Sequence, residues 1–222
     1  MVKSDRLTLM RLAVLSILFS ASVLGASAQT DSVRVLFIYG SRPAAAHRDT
    51  EPRWFGGIRG GHVGLQIGPD SVLNFRSTVY HPCHRFPRSK SRNYRDTFEI
   101  RSLHASWEIF PPHRYNIDSL RRAIVVIPLT AARRAALENT FHRYQAHPPY
   151  DYATFGMRCA SATYDMLQEA GLVPFHRRHN WVRFFAPRAF RRTMFRLAKE
   201  KGWVVYRFKG GNSRVWEKDR HS

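Results

Sequence analysis

Residues 62–76 read HVGLQIGPDSVLNFR, and this stretch decides the fold. Its apolar positions alternate with polar or small ones; they are Val63, Leu65, Ile67, Leu73 and Phe75. Gly68-Pro69-Asp70 lies between the two alternating runs and is typical of a turn. The pattern predicts a β-hairpin whose apolar residues share one face, with Leu65 opposite Leu73 and Val63 opposite Phe75.

The other face of the predicted hairpin is polar and carries His62, Gln66, Asn74 and Arg76. In this register His62 and Asn74 are diagonal neighbours, about 7–8 Å apart at the backbone. We expect their side chains to converge if the hairpin twists strongly.

Further strands are predicted where β-branched and aromatic residues cluster, at 32–39, 97–103, 123–127 and 203–208. Residues 40–61 and 81–95 are polar or rich in Gly and Pro and are predicted to be connections.

Three helices are predicted from the spacing of apolar residues. The first runs from the N-cap Thr130 to Tyr144, with a buried stripe that includes Ala135, Leu137 and Phe141. The others cover 159–170, ended by Gly171, and 187–201. Together these elements predict an α+β fold, an antiparallel sheet packed against two or three helices, in a single domain from residue 29 to 222.

The N-terminus has the layout of a secretory signal peptide. Lys3, Arg6 and Arg11 precede an apolar run at 12–24, and Ala26-Ser27-Ala28 provides small residues before the cleavage point. We expect residues 1–28 to be removed after Ala28 and the mature protein to be periplasmic or secreted.

Charge is the unusual feature of the composition. Lys and Arg total 36 against 16 Asp and Glu, which gives a formal net charge of +20, and all but six of the basic residues are Arg. Because 44% of the residues are hydrophobic, a disordered polycation is excluded.

We expect contact with anionic envelope material, namely peptidoglycan, lipid or a membrane surface; a merely solvated basic surface is the alternative. We expect no nucleic-acid role, since export and the lack of a recognition motif argue against one. Nothing in the sequence specifies an oligomeric state.

Cys159 opens the second predicted helix, where the positive end of the helix dipole favours a thiolate. The alternatives for this residue are a disulfide with Cys83, the second of the two cysteines, and an inert buried thiol. The segment His81-Pro82-Cys83-His84 does not have the ligand spacing of a zinc site. No metal or other cofactor is therefore predicted.

Three separated motifs are similar to those of the circularly permuted NlpC-type, papain-like superfamily, which includes lecithin:retinol acyltransferase-like proteins and bacterial permuted amidases. They are HVGLQIG at 62–68 with VLN at 72–74, YDY at 150–152, and CAS at 159–161, the last opening a helix. The resemblance implies Cys159 as nucleophile, His62 as base and Asn74 as the polar residue that orients the base. Arg158 precedes the cysteine, where many relatives have Asn.

Gln66, Tyr150 and Tyr152 are the candidate substrate-binding residues. Gln66 shares the polar face of the hairpin, and either tyrosine hydroxyl is a candidate donor to an oxyanion, with packing as its alternative role.

These residues predict a secreted thiol hydrolase, an amidase or peptidase acting on cell-envelope peptide amides. One alternative is a non-catalytic envelope-binding protein of the same fold. Another is an acyltransferase or lipase that meets the membrane through an Arg-rich third helix and the residues Trp181, Phe184 and Phe185.

Overall fold

The computed structural model describes residues 31–50, 61–69, 71–77, 96–102, 119–150, 152, 157–176, 180–184 and 186–219. The predicted signal peptide, the predicted connection at 81–95 and the segment from His81 to His84 lie outside these residues. Asp31–Ser222 forms one compact unit.

Within the described residues, eight strands form two sheets. They are β1 Ser32–Ile38, β2 Ser41–Pro43, β3 His62–Gly68, β4 Ser71–Ser77, β5 Asp96–Ser102, β6 Arg122–Pro128, β7 Val204–Phe208 and β8 Arg214–Trp216. Six of them pair in the order β5-β4-β3-β1-β6-β7, every pair antiparallel. The short β2 and β8 pair with each other in a separate two-stranded sheet, which was not predicted.

Four α-helices accompany the sheets within the described residues: α1 Ala131–Ala146, α2 Cys159–Glu169, α3 Asn180–Arg183 and α4 Pro187–Lys201. The three long helices confirm the predicted ones to within two residues at each end. Thr130 caps α1 by accepting the Arg133 N–H at 3.3 Å. The prediction for Ala135 was wrong: it is exposed, and Thr140 takes the place on the buried stripe beside Leu137 and Phe141.

The main core lies between the sheet and the long helices. Val35 on β1 is opposite Leu65, and Phe37 is opposite Val63, so the apolar face of the hairpin continues across the central strand. These residues share one buried cluster with Tyr164 and other side chains of α2 and α4. The hairpin therefore packs under α2, the helix that Cys159 begins.

The predicted register of the hairpin is confirmed at its turn end. Leu65 is opposite Leu73, and a bulge between Gln66 and Gly68 shifts the pairing next to the turn. The ladder ends at Leu65 and Leu73, so the predicted pairing of Val63 with Phe75 is not part of it. At the His62 end, a side-chain hydrogen bond between His62 and Asn74 links the two strands.

A buried arginine fixes the end of the described chain. Arg191 on α4 is fully buried, and it binds Glu217 at 3.1 Å and Asp219 at 3.0 Å. Its guanidinium also lies 3.7 Å from the ring centroid of Tyr39, just after β1. The segment after β8 is thereby joined to the central strand and to α4. Among the residues described, no helix is long and apolar enough to cross a membrane.

Candidate active site

Cys159 is the first residue of α2, and the local sequence explains why the helix starts there. Arg158 is extended (φ −135°, ψ −179°), and its N–H donates to the Ser161 hydroxyl at 2.7 Å. The same hydroxyl donates to the Arg158 carbonyl at 3.1 Å, which closes the first turn. Cys159 is a free, buried cysteine, so its thiol lies beside the backbone N–H groups of a helix N-terminus.

His62 begins β3, directly after a glycine that the geometry requires. Gly61 has φ of 77°, and a Cβ there would lie 1.7 Å from the carbonyl oxygen of Ile38. Only a residue without a side chain fits this close approach. Because Ile38 is also the residue opposite His62, the imidazole has a fixed position relative to the central strand.

Asn74 on β4 accepts a hydrogen bond from His62: its Oδ1 lies 2.8 Å from His62 Nε2, and both side chains are buried. The Asn74 amide group also donates from Nδ2 to the Val72 carbonyl at 3.2 Å, and this contact sets which amide atom faces the histidine. The Nε2 atom of His62 therefore carries the proton, and Nδ1 is the ring nitrogen left for the thiol.

Gly64 makes this convergence possible, and its role was not predicted from the sequence. A Cβ at this position would lie 2.7 Å from Val72 Cγ1 and 3.0 Å from Asn74 Oδ1. The Asn74 amide thus occupies space that any other residue at 64 would fill. The signal was present, since a glycine inside a strand often marks a close approach of another group.

The thiol of Cys159 and the imidazole of His62 are close enough for each group to shift the pKa of the other. Burial by itself raises the pKa of Cys159, but the charge and hydrogen bond of His62 outweigh it, aided by Arg158 and by the backbone N–H of Val63, and the pKa is lowered. Burial by itself lowers the pKa of His62. The charge of Cys159 and the hydrogen bonds to Cys159 and Asn74 outweigh this effect, so the pKa of His62 is raised. The two directions together favour a thiolate–imidazolium pair.

Comparison of the chain with protein-family models, curated proteins and solved structures finds no match. The resemblance to the permuted papain-like superfamily therefore rests on the sequence motifs alone.

The candidate substrate-binding residues make other contacts than Cys159, His62 and Asn74 do. Gln66 donates to the Pro69 carbonyl at 2.8 Å, so its amide closes the hairpin turn. Tyr150 packs edge-on against Phe75, with ring centroids 5.6 Å apart, and burial together with the charge of Asp165 on α2 raises the pKa of its hydroxyl.

Tyr152 also contacts the hairpin, with its ring centroid 5.4 Å from that of Phe75. Gln66, Tyr150 and Tyr152 therefore contact the hairpin or its turn. Their role toward a substrate stays a prediction.

One of the three residues expected at a membrane-facing surface is placed elsewhere, while Phe185 and the side chain of Trp181 lie outside what the structure describes. The membrane-facing surface expected around Phe184 is wrong for that residue, because Phe184 is fully buried and stacks on Tyr164 with centroids 4.1 Å apart. Cys83, the partner in the alternative disulfide, lies outside the described residues.

Proposed function

We propose that this protein is an exported cysteine hydrolase of the circularly permuted papain-like class, cleaving amide bonds in cell-envelope peptides. The observation that carries the proposal is the buried cluster of Cys159, His62 and Asn74, in which His62 donates to Asn74 at 2.8 Å and the charge of His62 lowers the pKa of Cys159. A nucleophile, a base within reach of it, and a third group that orients the base are the parts that covalent catalysis of acyl transfer needs.

The first half of the proposed reaction forms a thioester. The Cys159 thiolate attacks the carbonyl carbon, a C–S bond forms, and the carbonyl oxygen takes up negative charge. Backbone N–H groups at the start of α2 donate to this oxyanion, since the first turn of a helix leaves them without intrahelical partners. The His62 imidazolium gives its proton to the leaving amine as the C–N bond breaks.

The second half restores the thiolate. Water gives a proton to neutral His62 and attacks the thioester carbonyl; the C–S bond then breaks and the carboxylic acid product leaves. Asn74 keeps the imidazole oriented through both halves by holding Nε2, so that Nδ1 exchanges protons with the reacting groups.

The substrate class is supported by charge and by the N-terminal sequence. The full chain has a formal net charge of +20, and removal of residues 1–28, which carry a net +2 from Lys3, Arg6, Arg11 and Asp5, leaves +18. An exported chain of this charge meets anionic polymers of the envelope, and the attraction concentrates it on them. Cell-wall peptides carry carboxylate groups, which attract a basic protein. They also contain amide bonds, which the proposed reaction cleaves.

Purified cell wall tests the proposal. Wild type should bind it and release soluble peptides, whereas Cys159→Ala should bind equally and release none. Arg196→Gln is the control variant, because Arg196 is exposed on α4 and pairs with Glu200. It should bind the wall and release peptides as wild type does. Equal peptide release by wild type and Cys159→Ala would refute the proposal, and binding without release by wild type would favour the envelope-binding alternative.

A further inference from the structure

Two half-buried arginines flank the cysteine and histidine of the candidate active site. Arg158 is the N-cap residue immediately before Cys159. Arg76 lies two residues after Asn74 on β4, so strand alternation places it on the same face of the sheet as the Asn74 amide.

The two guanidinium groups have opposite effects on the pair. Arg158 stabilises the thiolate and so lowers the pKa of Cys159. Arg76 lies close enough to His62 to disfavour the imidazolium, which opposes the rise in the pKa of His62. A second cation beside an imidazolium costs free energy in the empty site, and a bound anion between them would offset that cost.

We propose that the site takes an acyl substrate that carries a carboxylate next to the scissile bond, and that Arg76 and Arg158 bind this carboxylate. The inference rests on the proposed hydrolase function and names its substrate class more closely. A guanidinium has five N–H donors in a planar fork, so a carboxylate can be bound alongside other contacts that the arginine makes.

A pair of alkylating reagents of similar size tests the charge preference without any turnover. Iodoacetate carries a carboxylate next to the reacting carbon, and iodoacetamide is its neutral counterpart. The rate constants for Cys159 should be measured in a Cys83→Ser background at constant ionic strength. The ratio of the iodoacetate to the iodoacetamide rate constant should fall roughly two- to fivefold in Arg158→Gln and in Arg76→Gln, as expected for loss of a partly exposed charge pair.

Two further variants distinguish an effect of the arginine charge from an effect on the structure of the site. Arg158→Lys should keep most of the preference, and Arg196→Gln should leave the ratio unchanged. In a competition arm, N-acetylalanine should protect Cys159 from iodoacetamide better than neutral N-acetylalaninamide does. Stronger protection by inorganic phosphate than by N-acetylalanine would overturn the assignment to a carboxylate.

The outcomes distinguish this inference from the proposed function. If Cys159 reacts fast with iodoacetamide but the ratio is the same in all variants, the carboxylate site is refuted and the activated thiol stands. If Cys159 reacts with both reagents as slowly as a model thiol, the hydrolase proposal fails and the carboxylate site fails with it.

Discussion

Replacing Gly64 by Ala should uncouple the histidine from its orienting amide. The added Cβ would lie 3.0 Å from Asn74 Oδ1, the atom that accepts from His62 at 2.8 Å, and 2.7 Å from Val72 Cγ1. Both contacts are too close, so the amide and the valine must move. Overpacking of this kind costs about 1–3 kcal/mol, or roughly 2–12 °C in Tm for a chain of this size.

The effect on reactivity follows from the hydrogen bond that is lost. One such bond contributes about 0.5–1.5 kcal/mol, so the population of the thiolate–imidazolium pair should fall roughly 2- to 12-fold. The assay is the rate of Cys159 alkylation by iodoacetamide at pH 6, followed by mass spectrometry of the Cys159 peptide.

Two further variants make the result specific. Gly68→Ala is the control, because its Cβ would meet Ser71 at an ordinary 3.5 Å, and we expect neither stability nor alkylation to change. Adding Val72→Ala to Gly64→Ala removes the closer contact but not the one with Asn74, so it should not recover reactivity. A folded Gly64→Ala protein that alkylates at the wild-type rate would refute the orienting role of Asn74.

Three other predictions follow from the same structure. Because the imidazolium of His62 lowers the pKa of Cys159, wild type should reach full alkylation rate at a lower pH than His62→Ala; coincident pH profiles would contradict this. Arg191→Leu should lower the free energy of unfolding by about 3–5 kcal/mol in urea titrations, since Glu217 and Asp219 lose the buried cation that binds both; a loss below about 1 kcal/mol would contradict it. Binding to anionic vesicles or cell wall should be retained at low salt and lost near 1 M, where charges are screened beyond about 3 Å, and salt-independent binding would disprove the electrostatic account.

Local periodicity accounts for what the sequence predicted well. The hairpin, the three long helices and the position of Cys159 at a helix start each follow from residues close together in the chain. The order of the strands and the pairing of β2 with β8 join distant segments, Ser41–Pro43 and Arg214–Trp216, and no local pattern specifies them.

The candidate site, too, was predicted in part from local sequence and depends in part on contacts between distant residues. Strand alternation placed His62 and Asn74 on one face, but their 2.8 Å contact depends on the missing side chain at Gly64. Alternation also placed Gln66 there, yet the bulge next to it turns its amide to the Pro69 carbonyl.

Tyr150 illustrates a contact that only the tertiary fold decides. Its ring lies near enough to Asp165, on α2 six residues after Cys159, to be affected by that charge. Burial and that carboxylate raise the pKa of Tyr150 well above its ordinary value, so it stays a neutral phenol. The sequence offered no sign of this pairing.

The most direct test of the account is the pKa of Cys159 itself. In Cys83→Ser the chain retains one cysteine, and the ultraviolet absorbance of its thiolate can be titrated against pH, with Cys159→Ala as the blank. We predict a midpoint clearly below the ordinary thiol value of about 8.5, moving upward in His62→Ala. A midpoint at or above that value, unchanged by His62→Ala, would show an inert buried thiol and contradict the activated nucleophile.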